Sequence, residues 1–148
     1  MIVVVAAIIE SADRRILIGQ RRRTDTSPLK WEFPGGKVRS GESVEAALAR
    51  ELEEELGATL KRCAEIGRVQ HKYATSDAQL EVHFFAAEIA DAPIEPKCFE
   101  QIVWVFPKEL SEYDFLEANL SLIAQLATGR VKPAEILRRH IDAQNPRE

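Results

Sequence analysis

Branched apolar residues open the chain in two short runs, Val3 to Ile9 and Ile16 to Gln20, separated by the polar stretch ESADRR. Runs of this length with polar turn-formers between them predict two strands, and their closeness predicts a hairpin. The polar loop RRRTDTSPLK follows. After it comes WEFPGGKVRSGE, whose density of Gly and Pro predicts an ordered loop of special backbone geometry rather than a regular element. From Val44 the period becomes helical: Val44, Leu48, Leu52 and Leu56 recur at every fourth position, with Ser43 placed to cap the start and Gly57 to close the end. EIGRVQHKYA and LEVHFFAAEI then read as strands around the turn TSDA, and QIVWVF as another strand after the loop ADAPIEPKCFE. NLSLIAQLATG has helical spacing at Leu120, Ile123, Ala124 and Ala127 with Gly129 as its stop, and PAEILRRHIDA is a last helix opened by Pro133.

Strands first, one helix in mid-chain and helices at the end predict an α/β (α+β) fold, an α/β/α sandwich with a central mixed β-sheet and helices on both faces. A length of 148 residues suits one domain over 1–148 that buries its core without disulfides, with 131–148 as a helical tail. Hydrophobic content of 45% and charge content of 30% exclude a disordered chain or a membrane protein. The net charge of -4 argues against a nucleic-acid polymer as partner, since backbone binding needs a basic surface. MIVVVAAIIE is too short to span a bilayer and has no basic segment ahead of it, so a buried strand is expected and no membrane partner. Cys63 and Cys98 lie far apart without CxxC spacing, which suits reduced thiols in a cytoplasm, used as small core residues. His71, His83 and His140 show no paired metal spacing and are expected on the surface or in the core.

The mid-chain helix, ALARELEEELG, crowds four glutamates. Like charges three or four residues apart repel by about 0.2–0.5 kcal/mol per pair. At about 100° per residue, Glu51, Glu54 and Glu55 share an arc of roughly 100° beside the apolar arc, whereas Glu53 points away with Ala46 and Ala49. Three carboxylates at the edge of a buried face suit a hard cation such as Mg²⁺ or Mn²⁺, which takes oxygen ligands and keeps waters for a phosphate to displace. A merely solvated face has the same pattern, and a total repulsion of about 1 kcal/mol does not choose between the two.

The spacing around the helix does choose. From Gly36 the chain runs five residues to Glu42, seven more to Arg50-Glu51-Leu52, then Glu54-Glu55 and Gly57 before the apolar Ala58. This resembles the Nudix box, the motif of hydrolases acting on nucleoside diphosphates linked to another group. Seven fixed identities in one register arise by chance on the order of once in 10⁸ sequences. At lower specificity, VVAAIIE, GQRRR, WEFPGGK, VWVFPKEL and EANLSLIAQL resemble segments of the MutT-type subfamily, the 8-oxo-dGTP diphosphatases and CTP pyrophosphohydrolases. The resemblance reaches about Leu126, and the tail RVKPAEILRRHIDAQNPRE lies outside it.

The resemblance implies a metal set of Glu51, Glu54, Glu55 and the Gly35 carbonyl, with Mg²⁺ as cofactor and Mn²⁺ as the alternative. Glu51 or Glu54 would deprotonate the attacking water, and Arg50 would pair with a carboxylate and fix its rotamer. Gly35 and Gly36 let backbone approach a pyrophosphate, Lys37 is placed to touch its oxygens, and Glu42 supports the loop. Arg21 falls at the family's substrate-binding arginine, although Arg21, Arg22 and Arg23 also read as a solvated patch. Phe33 stacks on a base or joins the core, and Trp31 is expected in the core. Asn119 matches the asparagine with which the 8-oxoguanine enzymes read the base; as the residue before Leu120 it also reads as an N-cap. One position departs from the pattern: six residues before Trp104, where the family often supplies a further glutamate, stands Cys98, with Glu95 and Glu100 nearby but out of register.

The expected activity is therefore hydrolysis of 8-oxo-dGTP or dGTP to a monophosphate and pyrophosphate, sanitising the nucleotide pool of a cytoplasm, by a monomer or homodimer. The alternatives are a CTP or modified-pyrimidine pyrophosphohydrolase, an ADP-ribose or dinucleotide hydrolase, and a nucleotide sensor without turnover. The intact Glu51, Glu54 and Glu55 disfavour the sensor.

Overall fold

Residues Ile2–Ile9 form the first strand, β1, and it is apolar on both faces because both faces are covered. Val5, Ala7 and Ile9 pack into one hydrophobic cluster, Ala6 and Ile8 into the other. The computed structural model describes residues 1–72 and 78–144; the turn expected over Thr75, Ser76 and Asp77 lies outside the described residues. Further strands are β2 (Ile16–Gln20), β3 (Trp31–Glu32), β4 (Gly35–Lys37), β5 (Leu60–Lys72), β6 (Gln79–Ile89) and β7 (Gln101–Val105). The helices are α1 (Val44–Leu56), α2 (Leu120–Ala127) and α3 (Pro133–Gln144). Short 3-10 helices cover Pro107–Glu112 and Glu117–Asn119.

The strands make a mixed four-stranded sheet in the order β4-β1-β6-β5, with β1 parallel to β6, and a three-stranded antiparallel sheet in the order β3-β2-β7. The expected hairpin of the first two strands is corrected here. The chain does turn, with Ser11 N–H donating to the Arg15 carbonyl at 2.8 Å. The two segments share a single antiparallel bridge, Glu10 to Ile16, but β1 is paired on both edges by β4 and β6, so β2 goes no further along it and founds the second sheet. A second correction concerns WEFPGGK: its two ends are strands. Gly35 pairs with Ala6 and Gly36 with Val5, and a side chain at Gly35 would run into the β1 backbone.

Between the sheets and under α2 lies a core of Ile8, Ile16, Ile18, Phe84, Ile123 and Leu126. On the other side α1 drives Leu48, Leu52 and Leu56 against Val5, Ala7, Leu17 and Phe85. Helices thus cover both faces, as the periodicity predicted, and α3 packs on β5 and β6. Among the described residues no helix is long and apolar enough to cross a membrane. Leu48 is fully buried. Leu48→Ala is expected to cost about 2–5 kcal/mol, from lost transfer energy plus the cavity left behind. A urea-denaturation midpoint that falls at unchanged slope checks it.

Candidate active site

Helix α1 begins and ends where its sequence says. The Ser43 hydroxyl accepts the Ala46 N–H at 3.1 Å, and Gly57 sits at φ 66°, the left-handed conformation that L side chains avoid, with its N–H reaching the Glu53 carbonyl at 2.9 Å. These caps fix the rotation of the helix, and with it which glutamates share an edge. Glu51 and Glu55 face the loop 35–37, Glu54 stands half-exposed beside them, and Glu53 points into solvent.

Arg50 organises this edge. Its Nε and Nη2 donate to both oxygens of Glu42 at 2.8 Å, Nη1 to Glu51 at 2.9 Å and Glu54 at 3.3 Å, and Nη2 also to the Lys37 carbonyl at 3.0 Å. All five guanidinium protons are thereby engaged. Glu42 also accepts the Arg39 N–H at 3.0 Å, and the Arg50 fork above all holds its carboxyl down at about 2. The glycine at position 36 follows from the same packing, because a Cβ there would collide with the Glu51 carboxylate.

Glu55 is placed differently. It accepts the Gly35 N–H at 2.7 Å, but burial, with Glu32 and Glu51 nearby, pushes its carboxyl up to about 8. Among the described residues the one cation acting on it, Arg21, is itself committed to Glu32 at 2.9 Å, so the buried carboxylate lacks a cation of its own. Its companions Glu51, Glu54 and the Gly35 carbonyl supply only oxygen donors, so the residues fit a hard divalent ion. Among the described residues no three ligating side chains already converge on one point. Glu54 is turned toward Arg39 at 3.7 Å and Arg50, and Glu55 toward the Gly35 N–H.

From this edge a cavity of about 570 Å³ runs inward, lined at its mouth by Gly36, Lys37, Glu51 and Glu55 and at its inner end by Phe33, Leu116 and Asn119. Asn119 is 6% exposed. The capping reading of this residue is corrected: it has helical backbone angles, φ -92° and ψ -14°, and its side chain makes no capping bond. Phe33 is 3% exposed and packs against Phe115 at 5.4 Å between ring centroids, so it is a core residue that floors the cavity rather than an open stacking plate. Trp31 is in the core as expected, edge-on to Tyr113. Arg21 reaches the cavity wall, where Glu32 holds it at 2.9 Å and the Thr26 carbonyl at 2.7 Å. Glu32 escaped the sequence reading. The alternation of β3 was the available signal: Trp31 turns into the core, so the next side chain faces the other way.

The core reading of Cys98 is corrected: it is exposed, in the loop before β7, its Sγ 3.9 Å from the Glu54 carbonyl, and Cys63 is only partly buried. Glu95 and Glu100 do not line the cavity. His83 is buried between Glu65 and Glu81, and His71 lies 3.3 Å from Glu117.

The two-sheet sandwich thus brings an arginine-braced row of carboxylates to the mouth of a nucleotide-sized cavity. The NUDIX domain model matches residues 1–135, and the chain belongs to the NUDIX family. It is a Nudix hydrolase, and enzymes of this family work with a divalent metal ion. It is 35% identical over 138 residues to the CTP pyrophosphohydrolase of Escherichia coli, covering 91% of this chain and 98% of that one. To the 8-oxo-dGTP diphosphatase of Haemophilus influenzae it is 34% identical over 128 residues, covering 85% and 91%. A solved MutT structure, from work on the proteins of Aliivibrio salmonicida and Vibrio cholerae, superposes with a TM-score of 0.73 at 34% identity, over 86% of this chain and 98% of that one.

Proposed function

We propose that the protein is a Mg²⁺-dependent nucleoside triphosphate pyrophosphohydrolase acting on 8-oxo-dGTP and dGTP, as one cytoplasmic domain over 1–148, monomeric or dimeric. The observation that carries this reading is Asn119: a buried amide without a capping partner, in the cavity whose mouth holds Lys37, Glu51 and Glu55. An amide offers both a donor and an acceptor, which suits the N7–H donor and O6 acceptor of 8-oxoguanine.

Lys37 meets phosphate oxygens at the mouth. Glu51 or Glu54 takes the proton of the attacking water as its oxygen bonds to phosphorus and the phosphoanhydride bond breaks, releasing pyrophosphate. Arg50 holds both carboxylates in position for that transfer. A divalent ion held by Glu51, Glu54, Glu55 and the Gly35 carbonyl would neutralise phosphate charge and lower the pKa of bound water. The test is pyrophosphate release from 8-oxo-dGTP, dGTP, CTP, dCTP and ADP-ribose, with Mg²⁺, with Mn²⁺ and without either. Preference for 8-oxo-dGTP supports the proposal; preference for cytidine nucleotides, in line with the Escherichia coli relative, removes the role given to Asn119.

A pH dependence follows from Glu55. Its carboxyl binds a proton up to about 8, and a cation requires the carboxylate, so Mg²⁺ affinity rises with pH and levels off above that value. The metal-free protein behaves oppositely. A raised carboxyl pKa makes the folded state bind more protons than the unfolded one, so this group's stabilisation, full below 4.5, is lost as pH rises toward 8. Calorimetric titration of Mg²⁺ between pH 6 and pH 9 reads the first effect, and Glu55→Gln flattens it.

A further inference from the structure

The far end of the same sheet carries a second cavity, of about 630 Å³, roofed by α3. Strands β1 and β6 serve both openings: Ala6 and Val82 line the first, Ile8 and Ala86 the second. Its apolar surface is Ile8, Ala86, Leu137 and Ile141, and its rim carries Arg14, Arg62 and Arg138 against Glu10 and Glu88. In a chain of net charge -4 this is a locally basic cleft.

The charges of the rim point to an anionic ligand. Arg62 is committed, its Nε 3.4 Å from Glu88 Oε2, whereas Arg138 makes no hydrogen bond or ion pair among the described residues and Arg14 only feels the nearby Glu10 carboxylate, with no hydrogen bond or close ion pair to it. Glu88 Oε2 is held by two cations, Arg62 Nε at 3.4 Å and Lys61 Nζ at 3.8 Å, so it is neutralised within the fold and does not repel an anion at the rim. Arg14 stands at φ 68°, in the turn between β1 and β2, a conformation that glycine adopts without cost.

We propose that this cavity binds a small organic phosphate monoester. The phosphate meets Arg14 and Arg138, and the apolar flank lies on Ile8, Ala86 and Leu137. Two guanidinium forks free of close ion pairs match a dianionic phosphate better than a monoanionic carboxylate. The volume is that of a site for a mononucleotide-sized molecule.

The test is an NMR titration of the full ¹⁵N-labelled chain with GMP, and with inorganic phosphate as control. Amides of Ile8, Ala86 and Ala134 report this cavity, and those of Gly36 and Lys37 the catalytic one. The expected result is two sets of shifts that saturate separately. The double variant Arg14→Gly, Arg138→Ala weakens the first set about tenfold and leaves the second set and basal turnover unchanged. Glycine adopts the Arg14 backbone freely and alanine is a good helix former, so the variant keeps the fold. Amides at Ile8, Ala86 and Ala134 that stay unmoved at about 10 mM GMP, or that move equally in the double variant, overturn the proposal. Inorganic phosphate matching GMP at equal concentration overturns the organic class of ligand.

Discussion

Glu54→Gln is expected to lower turnover by about 10²- to 10⁴-fold while leaving the thermal midpoint within about 2 °C of wild type. The activity loss follows from chemistry: the amide keeps the shape of the side chain but neither accepts the water proton nor supplies charge to a divalent ion. The unchanged stability follows from place. The Glu54 side chain is 48% exposed, and its contacts are ion pairs at 3.3 and 3.7 Å to Arg50 and Arg39. Solvated pairs of this kind contribute about 0–1 kcal/mol. Glu53→Gln is the control, the same change one residue earlier on the outward side of α1, and it should leave turnover within about twofold. Initial rates of pyrophosphate release at saturating Mg²⁺, with melting curves on the same samples, read both outcomes. Near-normal turnover in Glu54→Gln would remove Glu54 from the carboxylate set.

The difference between these neighbouring glutamates is legible in the sequence, because one helix with strong caps at Ser43 and Gly57 has a single rotation that buries Leu48, Leu52 and Leu56. Pairing over distance was not. The apolar pattern of β1 says that both its faces are buried but not which strands take its edges, so the first two strands read as a hairpin. Propensity likewise argues against strands at Gly35 and Gly36, yet only glycine lets that segment lie against β1 at Val5 and leave room for Glu51. Asn119 misled the capping rule for a local reason. The 3-10 helix Glu117–Asn119 runs straight into α2, so the backbone is already helical at that residue and its amide is left for the cavity. The pair Arg21 and Glu32, eleven positions apart, leaves no periodic trace at all.

Arg50→Lys is the second large expected effect, and it separates charge from geometry. A lysine keeps the positive charge but offers three donors on a point, where Arg50 spans Glu42, Glu51, Glu54 and the Lys37 carbonyl with a planar fork. Glu51 and Glu54 then lose their fixed rotamers, and turnover should fall about 10²-fold, the scale set by small misplacements of catalytic groups. KM should rise as well, because the same fork holds the loop carrying Lys37. Glu42 supplies a readout that activity alone cannot. Its carboxyl is held at about 2 chiefly by the Arg50 hydrogen bonds, so the stabilisation it contributes is present above the unfolded value of 4.5 and lost as pH falls toward 2. The variant has less of that stabilisation to lose. Melting temperatures of the two proteins should therefore differ most near neutrality and converge as pH falls from 4.5 to about 2. A gap that stays constant across that window would place the effect of Arg50 elsewhere than in the Glu42 fork, and full turnover in the lysine variant would show that its charge, not its reach, positions the carboxylates.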